Sequence, residues 1–247
     1  MRVAVCGKGG SGKSMIAGAL ARQFAIRGQT VIAVDADTNP NLGVSLGVDH
    51  ETVETMKPIL NALLDAGHTH NDPTPAAEDL LDRYGVDAPG GIRLVATGKI
   101  ERPSDACLCC GSHNTTRQFF GELGDDDRVV IADLEAGLND LIWAHPGPND
   151  VVLAVSEGSE KSVEIARRAV VTARELGVTR IIAVANRSLS EDHRARLGDE
   201  LGVTEVFSVP EDRAIEDADA AGVAPMDADA GSPAMVAVSE LADLISK

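Results

Sequence analysis

The stretch "GKGGSGKS" at residues 7–14 is the most informative part of this sequence. It follows the apolar run "RVAVC" at 2–6, precedes a helical pattern, and fits the phosphate-loop motif G-x-x-x-x-G-K-[ST]. In this motif the glycines turn backbone N–H groups toward phosphate oxygens, Lys13 supplies charge to the β- and γ-phosphates, and the Ser14 hydroxyl binds Mg²⁺. A glycine-rich turn without a ligand is the weaker interpretation. The residues predicted to bind the nucleotide here are Gly9, Gly10, Ser11, Gly12, Lys13, Ser14 and Met15.

Around this loop, short apolar runs alternate with helical patterns, as a mostly parallel sheet requires. The predicted strands lie at 2–6, 30–35, 92–96, 128–134, 150–156, 180–186 and 205–210, and a closing helix starts near Ser232. The prediction is therefore an α/β fold: a single-domain P-loop NTPase over residues 1–247, with about seven or eight strands flanked by helices. Residues 49–91 are expected to form a helical and loop excursion from the sheet.

Composition limits the classes of partner. The 247 residues carry a net charge of -17, and aromatic residues make up only 2%, so the core must be aliphatic. This charge disfavours binding to nucleic acid or to anionic lipid, and no apolar run reaches the ~20 residues of a membrane span. The first strand leaves no room for a signal peptide, and four cysteines indicate reduced thiols. The expected location is the cytoplasm.

Acidic residues follow two of the predicted strands. In "VIAVDADTNPNLG" (31–43), strand alternation places Asp35 and Asp37 on the same side, although both could also cap the following turn. In "VVIADLEAG" (129–137), Asp133 ends an apolar strand, where a carboxylate can hold Mg²⁺ through a bound water. The sequence thus predicts a Mg²⁺ site at which Ser14 and Asp133 take part.

The loop contains another lysine, Lys8, near its start, and this residue narrows the comparison to one superfamily. "KGGSGKS" resembles the deviant Walker A loop of the SIMIBI-class NTPases, which include ParA, MinD, the nitrogenase iron protein and metal-insertion ATPases. The resemblance implies slow, switch-like hydrolysis of ATP to ADP and phosphate by an ATP-dependent homodimer. It also implies that Lys8 reaches the phosphates of the partner's ATP, so that Lys8, Lys13 and Asp37 are the catalytic residues, with Asp37 orienting or activating the attacking water. By the same resemblance, Asp35 supports the Mg²⁺ shell.

Two later segments resemble the parts of the same superfamily that contact the adenine base. "VANRS" (184–188) resembles the segment in which an asparagine, here Asn186, contacts the adenine. "VPED" (209–212) resembles the second adenine-contacting loop and implies roles for Pro210 and Asp212. Each signal is short, and their order along the chain gives them weight.

The stretch "CLCCGSH" (107–113) contains three of the four cysteines, whereas Cys6 lies in an apolar strand and is expected to be buried. A C-x-C pair is too compact to complete a metal site from one chain, and it could also be a redox pair. Two copies in a dimer, however, supply four thiolates at the two-fold axis, and such soft sites select Zn²⁺, Cu(I), Fe–S clusters or square-planar Ni²⁺.

The C-x-C pair and "DLEAG" together resemble the CooC-type ATPases, which mature the nickel enzyme carbon monoxide dehydrogenase. This resemblance implies that Cys107 and Cys109 of each protomer bind nickel at the dimer interface. Cys110 and His113 depart from the pattern and leave Zn²⁺ and a ligand role for Cys110 open. Ala136 occupies the position where the nitrogenase iron protein has a cluster cysteine, which disfavours a reductase of that kind.

The leading hypothesis is an ATP-hydrolysing metallochaperone that delivers a metal ion, nickel or zinc, to an apo-metalloenzyme such as carbon monoxide dehydrogenase. The alternatives are a ParA- or MinD-like positioning switch and an Fe–S scaffold ATPase. The switch is disfavoured by the net charge and by the acidic C-terminal segment "AVSELADLISK" (237–247), in which Lys247 is the only base.

Overall fold

The computed structural model describes residues 1–69, 72–99, 118–123, 126–134, 150–188 and 191–247. The strands in these ranges are β1 (Arg2–Gly7), β2 (Val31–Ala36), β3 (Val86–Ala88), β4 (Ile92–Ala96), β5 (Val129–Leu134), β6 (Asp150–Ser156), β7 (Arg180–Ser188) and β8 (Glu205–Pro210). The helices are α1 (Lys13–Ile26), α2 (Leu42–Leu46), α3 (His50–Thr55), α4 (Ile59–Asp65), α5 (Ala77–Tyr84), α6 (Glu160–Glu175), α7 (Glu191–Leu201), α8 (Arg213–Ala221), α9 (Pro225–Asp229) and α10 (Pro233–Ile245). Residues 118–122 are also helical.

The strands form one eight-stranded sheet in the order β3-β4-β2-β5-β1-β6-β7-β8. Every pairing is parallel except that of β3 with β4. The predicted α/β fold with a mostly parallel sheet is therefore confirmed. Because parallel strands all end at the same edge, the loops after β1, β2, β5, β6, β7 and β8 share one side of the molecule.

Helices cover both faces of the sheet. Every residue of β1, β5 and β6 is buried, which explains why these strands read as unbroken apolar runs. One core layer packs α1 and α10 against the sheet, and the other packs helical residues 118–122, α6 and α7. Phe24, Phe119 and Phe120 are among the largest fully buried side chains, and the remainder of the core is aliphatic, as the composition requires.

The region between β2 and β4 holds four short helices, α2 to α5, and the edge strand β3. The sequence does not indicate β3, because three residues paired antiparallel at the sheet edge leave no alternation to detect. The closing helix α10 has Ser232 at its N-cap and Pro233 in its first turn, at the predicted position.

Candidate nucleotide-binding site

The loop between β1 and α1 packs tightly against two neighbouring strands. Gly7 and Gly12 have φ angles of 150° and 91°, in a region that side-chain-bearing residues rarely adopt. A Cβ atom on Gly7 would collide with the Val155 carbonyl of β6, and one on Gly12 would collide with the Asn186 side chain of β7. Glycine at these two positions therefore lets the loop lie directly on the ends of β6 and β7.

Lys13 begins α1 and turns back over this loop. Its side chain is buried, and its Nζ donates to the Lys8 carbonyl at 3.5 Å. The Ser11 amide donates to the same carbonyl at 3.1 Å, so the loop closes on itself. The ammonium group of Lys13 is thus fixed at the inner side of the loop, where a phosphate-binding loop requires positive charge.

Asp133, at the end of β5, is a buried carboxylate with no hydrogen-bond partner for either oxygen at normal distances within the described residues. Burial raises its pKa to about 6, although the nearby Ser14 hydroxyl and the Lys13 charge favour the ionised form. A buried, unpaired carboxylate is costly in free energy unless a cation compensates it. The position beside Ser14 therefore fits a Mg²⁺ ion.

Asp35 lies beside Asp133 in the register of β2 and β5. Burial, followed by the neighbouring Asp133 charge, raises its pKa to about 7. Its two oxygens accept hydrogen bonds from the backbone amides of Leu42 at 2.8 Å and Asp37 at 3.2 Å. Asp35 therefore holds the loop that follows β2 in place, and a part in the Mg²⁺ shell stays a prediction for it.

Asp37 is only partly buried, and its carboxylate accepts from the Asn39 amide at 2.8 Å. This contact is an Asx-type turn, so the turn-forming interpretation of "DADTNPN" holds for Asp37. The carboxylate follows β2 at the carboxyl edge of the sheet. The predicted role of Asp37 in activating water is compatible with this position.

A cleft of about 470 Å³ runs along this edge from the loop to α8 and α10. Of the residues predicted to bind the nucleotide, those lining it are Gly10, Gly12, Lys13, Ser14, Met15, Asn186, Pro210 and Asp212. Gly9 and Ser11 belong to the loop but do not line this cleft. The structure thus brings together segments that are up to about 200 residues apart in the sequence.

Asn186 is buried at the junction of the loop and the cleft. Its Nδ2 donates to the Ser11 carbonyl at 2.8 Å, and this bond fixes the orientation of the amide. Its Oδ1 is buried and has no hydrogen-bond partner among the described residues. An amino group, such as the 6-amino group of adenine, satisfies that acceptor, whereas the 6-oxo group of guanine does not.

Asp212 has a structural role that the motif did not indicate. Its carboxylate accepts from the Ala214 amide at 3.0 Å, capping α8, and from the Ala234 amide at 2.9 Å in the first turn of α10. It therefore joins two helix N-termini beside the cleft, an arrangement favoured by the helix dipoles. Direct contact of Asp212 with a nucleotide stays a prediction.

Sequence reasoning missed three features of this edge. Lys8 forms an ion pair with Glu157 at 2.8 Å, and Arg187 lines the cleft with a positive φ of 51°. Glu216 and Asp219 on α8 also line the cleft. The ion pair leaves no local sequence signal, because it joins residues that are distant in the sequence. The unusual backbone of Arg187 leaves none either, because it lies at a register shift between β7 and β8.

The predicted thiolate site lies outside the described residues, which do not include Cys107, Cys109, Cys110 or His113. In the described part of the chain, no group of three or more His, Cys, Asp or Glu side chains is placed to hold a metal ion. Mg²⁺ usually needs only one or two carboxylates, with waters and phosphates completing its shell. Over the same ranges, none of the helices has the length and apolar character needed to cross a bilayer.

Comparison with known proteins gives consistent matches over most of the chain. Residues 3–226 match the model of the CobQ/CobB/MinD/ParA nucleotide binding domain. An uncharacterized ATP-binding protein of Methanocaldococcus jannaschii is 33% identical over 87% of this chain and 87% of its own length. The carbon monoxide dehydrogenase accessory protein CooC of Rhodospirillum rubrum is 30% identical over 92% of this chain and 90% of its own length.

Solved structures agree on the fold. The cell division ATPase MinD of Pyrococcus furiosus superimposes with a TM-score of 0.74 over 99% of this chain and 98% of that chain, at 18% identity. MinD of Pyrococcus horikoshii in complex with Mg-ADP gives a TM-score of 0.74 over 100% of this chain and 96% of that chain, at 16% identity. At these identities the likeness extends to the architecture alone.

Proposed function

Because the chain belongs to the CobQ/CobB/MinD/ParA family of nucleotide-binding domains, we propose that it is an ATP-hydrolysing metallochaperone. In this proposal a nucleotide-dependent homodimer binds a transition metal ion as cargo and assists the maturation of a metalloenzyme. The similarity to the carbon monoxide dehydrogenase accessory protein over 92% of this chain is the observation that carries the proposal.

The shape and polarity of the cleft support ATP as the nucleotide. At one end the loop offers the buried Lys13 ammonium and the Ser14 hydroxyl, which suit a triphosphate. Next to the loop, Asn186 carries an Oδ1 acceptor in a fixed orientation, which suits an adenine amino group. The cleft extends from this loop to α8 and α10, so the rest of a purine nucleotide can lie along it.

Mg²⁺ supplies positive charge to the phosphates and orders the oxygens around the transferred group. The residues that would hold it are Ser14 and Asp133, with Asp35 supporting the shell. Lys13 neutralises charge that develops on the phosphates, and Asp37 orients the attacking water. Each of these groups acts by position and charge, which is the main requirement of phosphoryl transfer.

The cargo site in this proposal is formed by Cys107 and Cys109 of both protomers, with Ni²⁺ or Zn²⁺ as the ion bound. ATP can control such a site only if it stabilises one dimer geometry over another. In the proposal the dimer tightens with MgATP, brings the four thiolates together, and loosens after hydrolysis. The client would be an apo-metalloenzyme of the carbon monoxide dehydrogenase type.

The closing helix favours this role over a membrane-docking switch. Most apolar residues of α10, including Met235, Val238 and Leu241, are buried in the core, and Val236 is the exposed exception, so the apolar face of the helix is not available to a lipid surface. On the outer side, Asp243 pairs with Arg27 at 2.8 Å. A helix that binds lipid would instead expose its apolar face and carry basic residues beside it.

The proposal is tested by the Asp37→Ala variant. Removing the carboxylate leaves Lys13, Ser14 and Asn186 in place, so ATP binding should persist while hydrolysis slows by about 10²–10⁴-fold. The ATP-bound dimer should then accumulate, which sedimentation velocity with MgATP would detect. Asp65→Ala removes an exposed carboxylate that pairs with Lys57 outside the cleft, and it serves as the matched control.

Two outcomes would contradict the proposal in different ways. Hydrolysis at the wild-type rate in Asp37→Ala would show that Asp37 does not activate the water. Unchanged sedimentation with MgATP in both the wild type and Asp37→Ala would show that ATP does not drive dimerisation.

Asp133→Asn is expected to separate stability from function. The folded-state pKa of Asp133 is raised from 3.8 to about 6, so the ionised carboxylate destabilises the ligand-free protein above pH 6 and this cost disappears as the pH falls toward 4. Two pKa units correspond to at most about 3 kcal/mol. At pH 8 the ligand-free variant should therefore melt several degrees higher than the wild type, as measured by calorimetry.

The same variant should lose the additional stabilisation that MgADP gives the wild type, because the Mg²⁺ site is gone. Asp126→Asn is the matched control, since Asp126 is exposed, paired with Arg128, and remote from the cleft. It should not raise the melting temperature and should keep the full MgADP effect. A lower melting temperature with an intact MgADP effect in Asp133→Asn would rule out the assignment.

A further inference from the structure

Lys8 is held by an acidic residue of its own chain. Its Nζ lies 2.8 Å from Oε1 of Glu157, and the side chains are 33% and 20% exposed. Lys8 follows β1 and Glu157 follows β6, and these two strands are parallel neighbours, with Gly7 in register with Val155. The pairing is therefore a consequence of the sheet order and needs no second chain.

The Glu157 carboxylate is fixed by the first turn of α6. The oxygen that contacts Lys8 also accepts a hydrogen bond from the Ser159 hydroxyl at 3.0 Å, and the Glu157 amide donates to the Ser162 hydroxyl at 3.2 Å. Ser159 is the N-cap of α6 and accepts from the Ser162 amide. These contacts place the carboxylate in one orientation, facing the loop that carries Lys8.

Glu157 lies in a positively charged environment at normal pH. Burial raises its pKa, but the hydrogen bonds from Lys8 and Ser159 and the charges of Lys8 and Arg187 outweigh this effect and hold the pKa below its usual value. Arg187 contributes its charge from β7, at a register shift with β8 where its own φ is 51°. The carboxylate thus keeps one cation nearby even if the other moves away.

We propose that Glu157 is a positioning residue that competes with nucleotide phosphates for the Lys8 ammonium and so sets the ATP concentration at which the dimer forms. The inference rests on the proposed function, in which Lys8 acts on the partner's ATP. A Lys8 ammonium that moves to a phosphate on the other chain gives up its contact with the carboxylate on its own chain. The Lys8–Glu157 ion pair therefore opens as the dimer closes, while the positive charge of Arg187 still favours the ionised carboxylate.

The Glu157→Gln variant tests this competition. It removes the negative charge while retaining an oxygen that can accept from Ser159. Two partly exposed ion pairs open per dimer, and each contributes modestly to stability, so the dimer dissociation constant in MgATP should fall by about three- to tenfold. Sedimentation equilibrium over a series of protein concentrations measures this shift.

Glu164→Gln is the matched control. Glu164 lies on the same helix, α6, and pairs there with Arg167 and Arg168 away from the cleft. The change removes the same charge and should leave the dimer dissociation constant unchanged. If Glu157→Gln also leaves it unchanged, or if the gain persists when Lys8→Ala is added, the competition does not exist.

A second measurement examines the ion pair without any dimer. Acylation of lysines at low protein concentration, with no nucleotide, followed by peptide mass spectrometry, reports how available Lys8 is. Lys8 should react several times faster in Glu157→Gln than in the wild type, while Lys161 on α6 should react equally in both. Equal reactivity of Lys8 would overturn the proposal.

The two measurements separate this inference from the proposed function. Lys8 could become more reactive in Glu157→Gln while neither the wild type nor the variant dimerises with MgATP. That result would show that Glu157 restrains Lys8, and it would exclude the ATP-driven dimer. If both proteins dimerise with the same constant, the dimer stands and the role of Glu157 is excluded.

Discussion

In the Lys13→Ala protein, ATP affinity should fall by at least about a hundredfold and hydrolysis should become undetectable, because the only buried cation of the loop is lost. Lys13 lies between the Lys8 carbonyl and the acidic end of β5, and its charge opposes the burial of Asp133. No other cation among the described residues is buried beside the loop, so no neighbour can replace it. Calorimetric titration with ATP measures the loss.

The matched control for this loss is Lys161→Ala, which removes a lysine from the exposed first turn of α6. It should bind and hydrolyse ATP as the wild type does. A Lys13→Ala protein that is folded by circular dichroism and binds ATP within a few fold of the wild type would show that the loop is not the phosphate site.

Metal binding should disappear when Cys107 and Cys109 are both replaced by serine. The wild-type dimer is expected to bind one Ni²⁺ or Zn²⁺ ion, and serine lacks the soft thiolate that such ions prefer. ATP affinity should stay nearly intact, because the phosphate loop is a separate element. Equilibrium dialysis with metal analysis measures the stoichiometry, and affinity should fall as the pH drops and the thiolates become protonated.

Two further variants make this experiment specific. Cys6→Ala removes the one cysteine outside the 107–113 stretch and should keep metal binding. The Cys6 thiol is buried and donates to the Leu153 carbonyl at 3.4 Å, and burial raises its pKa to about 12. Cys110→Ser should keep metal if the C-x-C pair suffices and should lose much of it if a third thiolate takes part. Wild-type stoichiometry in the double variant would exclude the thiolate site.

Most of the sheet could be predicted from the sequence because its central strands, such as β1, β5 and β6, are buried on both faces. The run at 150–156 coincides with β6, and the run at 2–6 ends one residue before β1 does. The run at 205–210 coincides with β8, although this edge strand is only partly buried. Burial on both faces requires an unbroken apolar run, and the strand boundary follows from where that run ends. The three-residue β3 carries no such signal, since backbone pairing to β4 at the sheet edge is its main feature.

The candidate site was predicted only where a residue's role follows from a local motif. Lys13, Ser14 and Asn186 belong to short patterns, and all three line one cleft. The Lys8–Glu157 ion pair joins residues 149 positions apart, and the motif that contains Lys8 gave no indication of it. Asp212 stands in a base-binding motif, yet its carboxylate accepts from two helix N-termini, a contact that depends on how α10 packs.

The position of β1 in the strand order has a consequence for how ligand binding and unfolding are linked. β1 pairs with β5 on one side and with β6 on the other, so it is the strand that joins the half of the sheet carrying Asp35 and Asp133 to the half carrying Asn186 and Pro210. A nucleotide lying along the cleft would contact both halves at once and act as a non-covalent crosslink between them. Saturating ligand should then make the two halves unfold as one cooperative unit, with amide hydrogen exchange slowed equally in β2 and β7.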